Sequence, residues 1–184
     1  MLSAAHNDSF GLDKMATRVQ SGDKTNLEAQ AAQRYWPRLF DKSLRRDRYG
    51  DPPNNLLNYG YAIIRAATAR SLAMAGLHAG IGLFHHSRSN SFPLADDMME
   101  LWRPFIDLRV WQIASTEDKT EINSQSKKQL LSLMNETVPF DQDKLPLEIA
   151  IQRCSASLAS YMLDASKELQ TPKGLNNAQF ELLA

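Results

Sequence analysis

The chain has 184 residues, and 21 lysines and arginines balance 21 aspartates and glutamates, so its formal charge is zero. That length suits one ordinary domain with a genuine core, and the neutral balance means that a nucleic-acid partner would have to be met by basic residues gathered in one place. The one cysteine, Cys154, excludes an internal disulfide framework, no uncharged apolar run nears the length of a membrane span, and no basic start followed by an apolar leader is visible. The expectation is a cytoplasmic protein with no membrane role.

Strand signals are weak. There is no Asn-Gly or Asp-Gly hairpin turn and no clear alternating segment, whereas helical periodicity runs through most of the chain. The expectation is an all-α domain spanning residues 1–184. Residues 2–20 read as a first helix, broken near Gly11, with a turn at Ser21-Gly22-Asp23. Asn26 is placed to cap a second helix over 27–40, which Pro37 should bend or shorten. A polar connection over 45–53 leads to a long helix capped by Asn54 or Asn55 and running to about 77. Its Leu56, Leu57, Ile63, Ile64 and Leu72, with alanines on most remaining positions, make it apolar nearly all round and so central. Residues 76–90 hold three glycines and three histidines and read as a loop. Pro93 suits the first turn of the next helix, which runs to about 111 with a kink at Pro104. Two more helices are expected over 121–135 and 146–169, the latter burying the Cys154 thiol.

Three places carry residues capable of chemistry. Asp97 and Glu100 lie three apart, on one face of the predicted helix, with Asp96 on another face. Beside the histidine-bearing loop they can form a hard metal site, where carboxylates suit magnesium or manganese and an imidazole favours manganese. The plainer account is that acidic residues in first turns compensate the helix dipole. The same account covers Glu28, early in the second helix, although the alanines around it suggest a face pressed against another helix. The third place is a basic run over 34–48, where Arg34, Arg38, Lys42, Arg45, Arg46 and Arg48 face only Asp41 and Asp47. It is either a solvated face or a phosphate-binding surface. No P-loop, nucleophile elbow, His-Glu-x-x-His or Cys-x-x-Cys pattern is present.

Taken in order, four segments resemble the CRISPR-associated integrase family. They are Asn26-Leu27-Glu28-Ala29-Gln30-Ala31-Ala32 with Tyr35-Trp36, then Leu56-Leu57-Asn58-Tyr59-Gly60-Tyr61-Ala62, then Gly82-Leu83-Phe84-His85, and finally Leu94-Ala95-Asp96-Asp97-Met98-Met99-Glu100 with Arg103-Pro104 and Asp107. The similarity runs from about residue 1 to about 165, and Asn90 and Phe92 ahead of the last segment look most like the type II branch. Leu101 departs from the proline usual at that point.

The resemblance implies the helical catalytic domain, without the β-rich N-terminal domain that family members carry. It implies a divalent metal, Mg2+ or Mn2+, held by Glu28, His85 and Glu100, with Asp97 flanking the site. It implies an endonuclease and integrase of CRISPR adaptation (spacer acquisition), which joins captured DNA 3′ ends to the CRISPR repeat by transesterification. The implied partners are double-stranded DNA, met by Arg34, Arg38, Arg45, Arg46 and Arg65, and the Cas-two protein. The family's homodimer is in doubt for this chain, whose dimer-building domain lacks a counterpart here. Of Arg65 and Arg70, both in the buried helix, at least one should pair with a carboxylate. The reading of a different class is a truncated or non-catalytic helical module that binds DNA or protein.

Overall fold

A computed structural model describes residues 2, 8–20, 22–85, 89–116 and 121–173. Of the helix expected over 2–20, the described residues 8–20 form α1, Leu12–Ala16, which starts after Gly11 at φ 77°. Helix α2, Leu27–Leu39, does begin after Asn26. Asn26 nevertheless sits in the left-handed region and caps nothing with its side chain. The cap comes from Asp23, whose two carboxylate oxygens accept the N–H groups of Leu27 and Glu28 at 2.8 and 2.9 Å. A carboxylate there satisfies two orphan donors and complements the helix dipole. Pro37 lies inside α2 but only two residues from its end, so it shortens the helix rather than breaking it.

Helix α3, Asn54–Met74, is the central element, with ten buried residues including Leu56, Leu57, Ile64 and Leu72. It packs against the four helices that follow. Asn54 is the first residue of the helix rather than its cap. Its buried side chain ties the helix start to the 45–51 connection, donating to the carbonyls of Arg45 and Asp51 and accepting from the Asp47 N–H. The helix stops short of 77 because Gly76 turns left-handed at φ 78°. Leu77 N–H then reaches the Leu72 carbonyl at 2.9 Å and Gly76 N–H the Ala73 carbonyl, a glycine-terminated closure.

The helix expected to run from 93 to 111 with a kink is two helices, α4 (Pro93–Met99) and α5 (Arg103–Thr116). The reason is Pro104, which cannot donate to the carbonyl of Glu100 and crowds it, so the break falls one turn upstream. Helix α6, Ser124–Ser132, starts at a capping box in which Asn123 and Ser126 exchange side-chain and backbone bonds, and a 3-10 turn over Leu133–Asn135 ends it.

The fold is not purely α. Strands β1 (Thr137–Phe140) and β2 (Asp143–Pro146) form an antiparallel two-stranded sheet that pairs Thr137 with Pro146 and Phe140 with Asp143. Its turn uses Asp141 at φ 50° instead of glycine. The hairpin closes the core, because Phe140 is 1% exposed and stacks on Trp102 with ring centroids 6.2 Å apart. Helix α7, Leu147–Leu163, ends six residues before the expected 169 and buries Cys154, whose thiol burial pushes up to about 12. Among the described residues no helix is long and apolar enough to cross a membrane.

Candidate functional site

The loop ahead of α4 is organised by one carboxylate. Asp97, with a side chain only 3% exposed, accepts the backbone N–H groups of Leu83, Phe84 and His85 at 2.5, 3.0 and 3.1 Å. The same group faces His85 Nδ1 at 2.5 Å. Burial works against the charged form of Asp97, but the N–H donors and the imidazole outweigh it and hold its pKa below the ordinary value. With Nδ1 directed at a carboxylate, Nε2 is the ring nitrogen left to take a ligand. Gly82 permits this wrap, since a Cβ there would lie 2.3 Å from the His85 carbonyl oxygen.

Glu100 stands one turn beyond Asp97, at the end of α4. Desolvation raises its pKa first, the Arg103 guanidinium opposes that, and two more charges reach it, those of His85 and Glu28. Glu28, His85 and Glu100 are 57 and 15 positions apart in the chain, yet they share one electrostatic neighbourhood. The expected convergence of these groups to a common ligating point is not formed by the side chains as they stand. Among the described residues no three His, Cys, Asp or Glu side chains are gathered closely enough to hold a metal ion. Glu100 is instead paired with Arg103, which donates to its two oxygens at 2.8 and 2.9 Å as a charge-assisted partner on the next turn. Glu28 itself is exposed, at the capped start of α2.

As a donor set, two carboxylates and an imidazole nitrogen fit a hard or borderline divalent cation such as Mg2+ or Mn2+. Glu100, on a half-exposed side chain, has room to exchange Arg103 for such an ion. His86 lies outside the described residues. Asp96 faces α3, where it pairs with Arg65 at 2.5 Å and accepts from Asn90 at 2.6 Å. Burial opposes its ionisation, and these two partners still lower its pKa. Arg70 pairs with Glu148 at 2.7 Å, so both arginines of α3 have carboxylate partners.

The basic run does not form one surface. Arg34 and Arg38 turn towards α1, where Arg38 lies over the Phe10 ring at 4.9 Å and Arg34 lines a cavity with Lys14 and Arg18. Arg45 is exposed and lines a cavity of about 520 Å3 with Trp36 and Lys42. Arg46 is an anchor, donating to Asn54 and Asn58 at 3.1 and 2.6 Å and lying over Tyr61 at 5.4 Å. A larger cavity, about 760 Å3, brings Arg46, Arg48, Arg65 and Arg103 together with the exposed Tyr49, beside α4. Arg46, Arg48 and Arg65 are candidates in the sequence already; Arg103 and the grouping of the four were not legible, because the members come from α3, α5 and the connection before α3.

A second carboxylate lies beneath the site. Asp107, 4% exposed on α5, accepts the Tyr35 hydroxyl of α2 at 2.7 Å on one oxygen and the Tyr61 hydroxyl of α3 on the other. Desolvation raises its pKa to about 6 despite these two donors and the nearby charges of Arg103 and Arg46.

This fold has solved counterparts. A casposase bound to integration product superposes with a TM-score of 0.69 at 22% identity, over 87% of this chain and 53% of that one. A CAS1 protein from Thermotoga maritima gives 0.66 at 18% identity, over 84% and 57%. The class so defined is the helical fold shared by these two proteins. At the sequence level, the family model for CRISPR associated protein Cas1 matches residues 12–138. A CRISPR-associated endonuclease Cas1 of Neisseria meningitidis is 34% identical over 172 residues, 92% of this chain and 56% of that protein. A second, from Pyrobaculum aerophilum, is 32% identical over 163 residues, 86% of this chain and 55% of that protein. The chain belongs to the Cas1 family, and it spans about half the length of these curated relatives.

Proposed function

We propose that this chain is the helical catalytic domain of a CRISPR adaptation enzyme, a divalent-metal-dependent DNA endonuclease and integrase that joins captured DNA 3′ ends to the CRISPR repeat. The observation that carries this reading is the contact of His85 Nδ1 with Asp97 at 2.5 Å, which holds the imidazole one helical turn from Glu100. Family membership supports it, since the relatives in hand are named endonucleases and the casposase was solved with an integration product.

Glu28, His85 through Nε2, and Glu100 would hold the ion, either Mg2+ or Mn2+. When bound, the ion supplies Lewis-acid polarisation of the phosphodiester and neutralises the charge that develops there. Asp97 fixes the imidazole by holding Nδ1 and the loop amides. Arg103, released by Glu100, stays beside the site as a hydrogen-bond donor to phosphate. Arg46, Arg48 and Arg65 present the larger cavity to the DNA backbone, with Arg45 and the Arg34–Arg38 pair further out along double-stranded DNA. In joining, a DNA 3′-hydroxyl attacks the repeat phosphodiester and displaces the repeat strand's 3′-oxygen, which takes up a proton from solvent as the attacking hydroxyl loses its own; in cutting, water attacks in place of the hydroxyl. In the whole protein the partners would include the Cas-two protein and a second copy of the chain.

The test is a joining assay with 3′-hydroxyl oligonucleotides and a plasmid carrying a CRISPR repeat, run with Mn2+ or with chelator. The expected result is metal-dependent joining of single ends, little joining of both ends, and loss of product in Glu28→Gln. Joining that survives in Glu28→Gln would reject the metal site. DNA binding with neither cutting nor joining under any divalent ion would favour the non-catalytic module.

A further inference from the structure

Helix α2 carries Glu28 in its first turn and Tyr35 two turns later. Trp36 and Phe40 give the helix apolar contact with the core, but such contact is non-directional and fixes neither register nor tilt. Directional attachment comes from the Tyr35 hydroxyl, which donates across 72 positions to Asp107 at 2.7 Å. Asp107 also takes the Tyr61 hydroxyl. The Tyr61 ring in turn supports the Arg103 guanidinium at 4.5 Å, and Arg103 is the residue that grips Glu100. One buried carboxylate is therefore linked on one side to the helix bearing Glu28 and on the other to the partner of Glu100. A buried carboxylate is costly unless its bonds are made, and here one tyrosine bond holds the helix that carries Glu28 while the other holds the ring on which Arg103 rests.

We infer that Asp107 is a positioning residue for the metal site, which sets the distance between Glu28 and Glu100 through Tyr35 and Tyr61. It touches neither ion nor DNA. This inference rests on the metal-site reading proposed above, and it adds a function to a residue that reading leaves unused. Removing the Tyr35 hydroxyl should free α2 to shift without emptying the core, since the ring stays in place.

The experiment compares wild type, Tyr35→Phe, Asp107→Asn, the double variant of these two and Glu28→Gln by two measurements. Amide hydrogen exchange reads the attachment of α2 without any metal, and Mn2+ titration reads its consequence. In Tyr35→Phe, exchange over residues 27–36 should quicken while α3 and α5 stay protected, and Mn2+ affinity should fall about tenfold, as loss of an outer partner of a ligand does. Asp107→Asn should give at least the same loss, and the double variant should lose little more than Asp107→Asn alone. Unchanged exchange in α2 would overturn the attachment whatever the metal does. Faster exchange with unchanged Mn2+ affinity would overturn the positioning role. If Glu28→Gln binds Mn2+ as wild type does, or wild type binds none, the metal-site reading itself has failed and the inference goes with it. Tyr35→Phe keeps the test open should Asp107→Asn fail to fold.

Discussion

Asp107 should make the stability of the molecule depend on pH in an unusual direction. Its folded pKa, about 6, lies above the ordinary 3.8, so between those values the native state holds the proton more tightly than the unfolded chain does. The group's contribution is then fullest below about 4 and declines as pH rises to about 6. The groups facing it are Tyr35 from α2, Tyr61 from α3, Arg103 on its own helix and Arg46 from the connection before α3. A shift of this size corresponds to a decline on the order of 3 kcal/mol across the window. Urea unfolding at pH 4 and pH 7 should show this decline in wild type and lose it in Asp107→Asn, and equal pH slopes in the two proteins would contradict it. Asp97 makes a different prediction. Its bonds go to the loop over residues 83–85, so Asp97→Asn should speed amide exchange there ahead of the rest of the molecule, with a local cost on the order of 1–3 kcal/mol for the buried bonds it weakens. A large global loss measured by urea unfolding would show that the loop is part of the core unit.

Among the elements, α3 and α5 approach each other closely at Gly60. A Cβ at Gly60 would lie 2.5 Å from Ile106 Cγ2 on α5, so Gly60→Ala should destabilise by about 1–3 kcal/mol through overpacking, although alanine is the better helix former. A denaturation curve showing Gly60→Ala as stable as wild type would mean that α3 and α5 can separate freely. The central helix was legible because its apolar residues run almost all round. Its end at Gly76 was read three residues too late because the glycine closure depends on backbone angle, which residue type only suggests. The split between α4 and α5 followed from Pro104, whose effect falls on the carbonyl four residues back and not on its own position. The hairpin over 137–146 was hidden for opposite reasons. Pro139 and Pro146 argue against strands, the turn lacks glycine, and burial of Val138 and Phe140 under α7 and Trp102 supplies the stabilisation that local propensity does not.

At the scale of the whole molecule, the neutral chain presents basic groups in separate clusters. Arg46 is committed to Asn54 and Asn58, so its removal would disturb the fold as well as any phosphate contact. The clean variants are Arg45→Gln and Arg48→Gln. Each should weaken DNA binding equally across sequences and flatten the salt dependence by about one unit per lost phosphate contact. A salt slope unchanged in the double variant would assign both residues to a solvated face. The candidate site was legible only as an order of segments along the chain. Spacing could place Asp97 and Glu100 on one helical face and Arg103 three residues past Glu100, but the loop wrap around Asp97 and the Tyr35–Asp107–Tyr61 network are products of tertiary packing.

The central claim is that Glu28, His85 and Glu100 act as one divalent-metal site, and the direct measurement is Mn2+ stoichiometry by electron paramagnetic resonance. Wild type should bind one Mn2+ per chain. Glu28→Gln, His85→Ala and Glu100→Gln should each lose it, and the triple variant should lose nothing beyond the singles. Binding in Glu28→Gln equal to that of wild type would contradict the account, because it would leave the ion, if any, to the loop and α4 alone.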